Sequence, residues 1–273
     1  MPKRKASNTD GQPVSRIESA NDLDLSTFKH LYLPPFFHYY TPTSTSDSQG
    51  SGSENPTLAI TLARSEDLES DELNACFDLI ESTSGAAYRS SSWGWHPFRK
   101  RREMREEDMR YLLVRRRRQR SDATEPVMPA IETRFETAER ETTGTAAGSA
   151  APGRSTDGGT EQDWEDGDSE LPNTDASIEG FLSFMLTHED GFEVVYIYEI
   201  HLRPALRSLG LGAHLMKLVE HLGHGVGVQK SMLTCFRSNE AAEEWYRRRG
   251  YEEDENSPRE KKLRGGSSRR WII

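Results

Sequence analysis

From Leu58 to Leu62 apolar and polar side chains alternate, which predicts a strand with Leu58, Ile60 and Leu62 on its inner face. The period then lengthens. Ser65-Glu66-Asp67-Leu68 reads as a helix start, its acids suited to the positive end of the helix dipole. Leu73, Phe77 and Ile80 recur at helical spacing, with Gly85 near the helix end. A highly charged helix is expected over Arg99–Arg110, followed by a short buried strand, Tyr111–Val114. Further on, Phe181–Leu186 and Val194–Leu202 read as two strands joined at the turn signal Asp190-Gly191, a hairpin. A helix follows with Leu211, Leu215, Leu218, Val219 and Leu222 on one face, stopped at Gly223. Ser231–Phe236 is a strand, Glu240–Arg249 a helix ending at Gly250, and Tyr251 opens a last short segment. The aromatic run Leu31–Tyr40 holds Pro34 and Pro35 and is expected to pack on the core irregularly rather than as a strand. The order is strand, two helices, strand, a long interruption, then two strands, helix, strand, helix and strand.

The interruption, residues 119–177, has few apolar side chains. It cannot bury enough surface to offset an ordering cost of roughly 1–2 kcal/mol per residue. It is expected to be a disordered acidic insertion, tolerated because loop entropy grows only logarithmically with length. Residues 1–22 are expected to be a disordered basic N-terminus, and 41–56 a Ser/Thr/Gly-rich linker. That leaves one α/β domain over 23–264, interrupted by 119–177, with 265–273 as a C-terminal segment.

Composition agrees. Only 34% of the 273 residues are hydrophobic, against roughly 45%, glycine included, in a fully compact domain. The net charge is -10, yet residues 121–178 alone hold 14 acids and 3 arginines, so the remainder is near neutral. The acidity describes the insertion, not a working surface. No apolar run approaches the roughly 20 residues of a membrane span, and none follows Pro2-Lys3-Arg4-Lys5, so neither a membrane partner nor a signal peptide is expected. The Pro2–Lys5 run can be read as a nuclear signal. Cys76 and Cys235 are too isolated for a disulfide framework or metal cluster, and a reducing compartment, nucleus and cytoplasm, is expected. His221 and His224 lack a third ligand and read as surface residues, so no metal is expected. Arg99–Arg120 holds 11 basic against 4 acidic residues. A nucleic-acid footprint is one reading, a solvated helix and strand exit the preferred one, so no direct nucleic-acid partner is expected.

The sharpest local motif is Arg207-Ser208-Leu209-Gly210-Leu211-Gly212 between a strand and a helix. It places backbone N–H groups at a helix N-terminus, an anion site that glycine lets a phosphate approach. No Gly-Lys-Ser/Thr follows, so it is not a Walker loop. A glycine-rich turn without a ligand is the other reading. The Arg-x-x-Gly-x-Gly pattern resembles the pyrophosphate loop of the Gcn5-related N-acetyltransferases (GNAT), which bind acetyl-CoA there. Asn239-x-x-Ala242-x-x-x-Tyr246-x-x-x-Gly250-Tyr251 resembles the last block of that superfamily. Tyr246 on an amphipathic helix could otherwise be core. The resemblance implies a GNAT fold, a mixed central sheet with splayed middle strands flanked by helices. It also implies acetyl-CoA as cosubstrate, held by Ile200, Leu202, the run Arg207, Ser208, Leu209, Gly210, Leu211 and Gly212, and Asn239.

Within the superfamily, Ser92-Trp93-Gly94-Trp95, then Arg99–Met104, Tyr196-Ile197-Tyr198-Glu199-Ile200 and Asp254–Pro258 resemble the NatD-type N-alpha-acetyltransferases. These acetylate the N-terminal serine of histone 4 and histone 2A. The likeness covers about residues 58–118 and 178–260. It implies histone tails beginning Ser-Gly-Arg-Gly as partners; a monomer is expected. It implies a peptide site at Tyr88, Trp93, Tyr196, Thr187 and Thr234, where aromatic walls with polar tips suit a short peptide. It assigns catalytic roles to Glu199, Tyr198 and Tyr246. Strict alternation would place Glu199 on the opposite face from Tyr196 and Tyr198; the resemblance implies a bulge in this strand, which could re-aim it. Two positions depart from the pattern. Thr187 stands where the family has an acid, with Glu189 and Asp190 nearby, and Trp271 is the nearest counterpart of a C-terminal tyrosine.

An α-amine with a pKa of about 7.7–8.0 is already about 10–20% neutral at pH 7, so only modest base help from Glu199 is needed. Transfer would be direct, in a ternary complex, with backbone N–H groups polarising the carbonyl and Tyr246 or water protonating the thiolate. The competing readings are a GNAT enzyme for another N-terminus, a lysine or a small amine, and a catalytically weak histone-binding GNAT module.

Overall fold

The computed structural model describes residues 15–42, 57–116, 177–257 and 268–272. These belong to one compact unit; a second unit, Gln119–Leu171, lies outside the described residues, as does nearly all of the expected insertion.

Two short helices come first, α1 (Arg16–Asn21) and α2 (Leu25–Tyr32). Then follow β1 (Tyr39–Tyr40), β2 (Leu58–Arg64), α3 (Ser70–Ser90), α4 (Pro97–Glu103) and β3 (Arg110–Arg116). The second half runs β4 (Ile178–Glu189), β5 (Phe192–Leu202), α5 (Leu211–Val226), β6 (Lys230–Phe236), α6 (Glu240–Arg247), β7 (Glu252–Glu253) and β8 (Ser268–Ile272). Among the described residues the eight strands form one sheet in the order β1-β2-β3-β4-β5-β6-β8-β7, antiparallel except for the parallel pair β5–β6. The β4–β5 hairpin turns at Asp190 (φ 51°) and Gly191 (φ 84°), the left-handed pair of a type I′ two-residue turn.

Strand alternation supplies two cores. Leu112, Val114, Leu182, Phe184, Leu186, Val195 and Ile197 meet α1, α2 and α5 on one face. Tyr111, Leu113 and Phe181 meet Leu73, Cys76, Phe77 and Ile80 of α3 on the other. The ends of β3 and β4 lie side by side, Arg115 opposite Ile178, so the intervening chain leaves and re-enters the sheet at one place.

Two features shape the site. β5 and β6 pair only from Val194–Ile197 to Lys230–Leu233, yet β5 runs on to Leu202 and β6 to Phe236. Beyond Ile197 the two strands part, which is the splayed middle that the resemblance implied. The β4–β5 register also shifts: Phe184 faces Ile197, but Ser183 faces Glu199. Tyr198 is the extra residue of a bulge, so Glu199 emerges on the same face as Tyr196 and Tyr198.

Some expectations are corrected. Arg16–Asn21, assigned to the disordered N-terminus, is a helix. Ile17 and Ala20 are buried in the core, Ser15 Oγ donates to Glu193, and Arg16 donates to the Gly227 carbonyl. α2 was unforeseen; Asp24 caps it and Phe28 is fully buried. Past the two prolines Tyr39–Tyr40 does pair, with Leu58 and Ala59. The charged helix stops at Glu103, and Arg110 opens a strand. α5 continues past Gly223 to Gly227 (φ 83°). Gly223 lies inside because a Cβ there would come within 3.0 Å of Val195, so glycine serves a close helix–sheet approach. His221 and His224 are exposed, and no metal-binding group of His, Cys, Asp or Glu is found among the described residues.

Candidate active site

The parting of β5 and β6 opens a cavity of about 450 Å³. β5 contributes Tyr196 to His201, β6 Leu233 to Phe236, α3 Tyr88, and the Trp93-Gly94-Trp95 segment its rim. Of the residues expected in the site, Tyr88, Trp93, Tyr196, Tyr198, Glu199, Ile200, Thr234, Asn239 and Tyr246 all line this cavity. Thr187 does not; it lies toward the far end of β4, opposite Val194. Leu202 and Arg207–Gly212 lie outside the lining as well, in the connection to α5.

The aromatic wall is mutually braced. Tyr88 packs edge-on against Phe236 at 4.8 Å and tilted against Trp95 at 5.4 Å. Trp93 meets Phe236 at 6.2 Å and stays 51% exposed, free to cover an entering chain. Tyr196 packs at a tilt against Tyr198 at 5.1 Å, and its hydroxyl bonds to Thr234 across the gap between the strands.

Glu199 forms the floor. Its Oε1 accepts from Tyr88 Oη at 2.7 Å and from Lys100 Nζ at 2.8 Å. Its Oε2 meets His201 Nε2 at 2.6 Å. Burial opposes the charged carboxylate, but Lys100 first and His201 second outweigh it and hold the group well below the ordinary carboxylate range. Glu199 is thus an anion already engaged by three donors, and a weak proton acceptor. The Lys100 ammonium is resisted by burial and held up by Glu199, Tyr88 and Glu103, a net rise. Glu103 lies 2.5 Å from Lys100, yet burial still pushes its carboxyl up on balance, so Glu199 is the lysine's principal counter-charge.

Other groups keep their protons. Burial pushes Tyr198 up to about 12 and Cys235 up to about 12, and raises the buried Tyr246 further. A thiol so reluctant to ionise is no nucleophile.

The approach to α5 is a tight turn that opens onto backbone N–H groups. Ser208 (φ 62°) and Gly210 (φ 80°) turn the chain, and Gly210 caps the 16-residue helix. The first intrahelical bond runs from His214 N–H to the Gly210 carbonyl, which leaves the N–H groups of Leu211, Gly212 and Ala213 without helical partners. Tyr40 braces the loop by donating to the Leu209 carbonyl at 2.6 Å. Asn239 has a second duty: its side chain caps α6 by accepting from Ala242 N–H.

The sequence reading missed Lys100 and His201. His201 lies two residues from Glu199, the strand spacing that shares a face. Lys100 is hidden among surface arginines; its three-residue offset from Glu103 is the faint signal.

Residues 148–251 match the model of the Acetyltransferase (GNAT) family. Among solved structures the chain is similar to nourseothricin acetyltransferase, at 20% identity and a TM-score of 0.30, covering 37% of this chain and 59% of that one. It is similar to the NatC complex bound to Gag peptide and CoA, at 12% identity and a TM-score of 0.44 over 79% of this chain and 97% of that one. It is also similar to Arabidopsis thaliana NAA60 in complex with a bisubstrate analogue, at 11% identity and a TM-score of 0.43 over 79% and 97%. The matched residues carry β4, β5, the α5 loop, α5, β6 and α6.

Proposed function

We propose that this GNAT-type acetyltransferase moves the acetyl group of acetyl-CoA to the α-amine of a protein N-terminus, and to the N-terminal serine of histone 4 and histone 2A in particular. The observation that carries the α-amine is the engagement of Glu199. A carboxylate with three donors cannot readily take a proton from a lysine ammonium near 10.4, whereas an α-amine near 7.7–8.0 is partly neutral at pH 7. The aromatic wall of Tyr88, Trp93, Tyr196 and Tyr198 supports a short peptide entering amine first, and its match to the NatD-type pattern supports the Ser-Gly-Arg-Gly tail.

The diphosphate of CoA would lie on the N–H groups that open α5, with its thioester arm running between β5 and β6 toward Glu199. The amine nitrogen forms a bond to the thioester carbonyl carbon, and the carbon–sulfur bond breaks. β5 beyond Ile197 no longer pairs with β6, so its N–H groups on that side, toward Ile200 and Leu202, can polarise the carbonyl oxygen. Glu199 accepts a hydrogen bond from the amine, whose surplus proton passes to water. Tyr246 or water supplies the proton to the thiolate. The protonated Cys235 thiol favours this direct route over an acyl-cysteine.

The test is turnover on a peptide beginning Ser-Gly-Arg-Gly-Lys beside the same peptide with a blocked N-terminus. Turnover lost on blocking supports the reading; equal turnover on both makes a lysine the acceptor. Thr187, outside the cavity wall, favours one second reading, a different N-terminal sequence, which other N-terminal peptides would reveal by faster turnover.

A further inference from the structure

The floor of the cavity holds a charged cluster larger than the transfer step needs. Lys100 is 7% exposed, although its neighbours Arg99 and Arg102 on α4 face solvent. It bridges two carboxylates, Glu103 at 2.5 Å and Glu199 at 2.8 Å, and lies over the Tyr88 ring at 4.9 Å. On the other side of Glu199, His201 is itself held: its Nδ1 meets Thr83 Oγ1 at 2.6 Å, and that hydroxyl lies 2.6 Å from the Leu79 carbonyl, within donating reach.

A buried ion pair of this kind is seldom worth its desolvation, and a well-packed apolar pair often stabilises as much. Stability alone therefore does not account for it. The arrangement of acceptor sites does. An ionised carboxylate offers about four such sites. Oε1 uses two, for Tyr88 and Lys100, and Oε2 uses one, for His201. One site is left, on Oε2 of a residue that lines the cavity.

We propose that Lys100 is a positioning residue for acyl transfer: by bridging Glu103 and Glu199 it fixes the Glu199 carboxylate so that its last open acceptor site receives one N–H of the acceptor amine. The inference rests on the cavity being the acceptor site. The groups that face Glu199 are Tyr88 from α3, Lys100 and Glu103 from α4, Tyr111 from β3, His201 from β5 and Tyr246 from α6. Burial keeps the tyrosines protonated, so Lys100 is the fixed cation that Lys100→Met would remove.

The experiment compares wild type, Lys100→Met and Lys100→Arg by the pH profile of kcat/KM on an N-terminal peptide, and by the carboxyl carbon resonance of Glu199 in protein labelled with ¹³C-glutamate. Loss of the signal in Glu199→Gln assigns it. In Lys100→Met, kcat/KM is expected to fall about tenfold or more across the profile, because a loosened Glu199 no longer holds the amine, while the acid limb stays near the amine's own value of about 7.7–8.0. Lys100→Arg should keep most of the wild-type kcat/KM, and acetyl-CoA affinity should hold in both. The Glu199 resonance should stay in its carboxylate form to pH 4 in wild type and titrate above that in Lys100→Met. A wild-type kcat/KM together with a wild-type resonance in Lys100→Met overturns the proposal. Should that variant not fold, a wild-type Glu199 that titrates as an ordinary carboxylate overturns it. Wild type inactive on every N-terminal peptide would instead sink the acceptor reading, and the resonance would still report the hold of Lys100 on Glu199.

Discussion

Lys100 Nζ lies 2.8 Å from Glu199 Oε1, joining α4 to the bulge of β5 with both side chains under a tenth exposed. The pair sets a pH dependence of stability. Glu199 is held below its unfolded value of about 4.3, so its contribution is present above that pH and fades as pH falls through the folded value. Lys100 is held above its unfolded value of about 10.4, so its contribution is present below that and fades only as pH rises through the folded value. Glu199→Gln leaves a buried ammonium with Glu103 alone, at a cost of about 3 kcal/mol near pH 7. Urea unfolding at pH 7 and pH 3 should show the gap to wild type shrinking at the lower pH. A gap of the same size at both would mean that Glu199 is not an anion in the fold.

Much of this was legible in the sequence, and the exceptions share a cause. Period-two and period-3.6 patterns found β2 to β6, α3, α5 and α6, because each buries one face against a neighbour. The loop from Arg207 to Gly212 showed itself through glycines whose positive φ and close approaches leave little choice of residue. α1 and α2 did not show, because so few of their residues are buried that polar side chains mask the pattern. Gly223 read as a stop because a glycine chosen for close packing looks the same as one chosen for a cap. Lys100 and His201 were hidden for a third reason. Their importance lies in partners that are 99 and 118 residues away, Glu199 and Thr83, and no local pattern encodes those.

Trp93→Ala should separate the two substrates. The ring touches Phe236 and is half exposed at the rim, away from both cores. Losing it removes an aromatic contact worth about 0.5–1.5 kcal/mol plus the apolar area it would cover on a bound peptide. KM for the peptide should rise about tenfold or more, with acetyl-CoA affinity and melting temperature nearly unchanged. Steady-state kinetics and calorimetry read both; an unchanged KM would mean the peptide does not pass this rim.

Gly210→Ala should weaken the cosubstrate instead. Its φ of 80° is costly for alanine, and the added Cβ would lie 2.6 Å from Tyr40 Oη, the group that braces the loop. Gly191→Ala is the control, with φ 84° but no atom within 4 Å of the Cβ. Both should lose about 1–2 kcal/mol from backbone strain. Only Gly210→Ala should also lose acetyl-CoA affinity, by about tenfold, measured by isothermal titration. Equal affinities for the two variants would place CoA elsewhere.

Tyr246→Phe tests the proton donor. The side chain is 8% exposed, its ring packs edge-on against Trp245 at 5.0 Å and Tyr251 at 5.8 Å, and its hydroxyl is held protonated by burial. Phenylalanine keeps those ring contacts, so melting temperature and acetyl-CoA affinity should change little. The hydroxyl alone is lost. If it protonates the leaving thiolate, kcat at pH 7 should fall about 10- to 100-fold, at or below the low end of the usual 10²–10⁴ range for general acids, because a thiolate leaves without much help. That reasoning also fixes how the deficit varies. A thiol has an ordinary pKa of about 8.5, so above that pH the thiolate is stable in water and needs no donor. The gap between Tyr246→Phe and wild type should therefore narrow from pH 7 to pH 9.5 in single-turnover measurements of the chemical step. A gap of constant size would mean that Tyr246 shapes the cavity without giving a proton, and water would then be the acid.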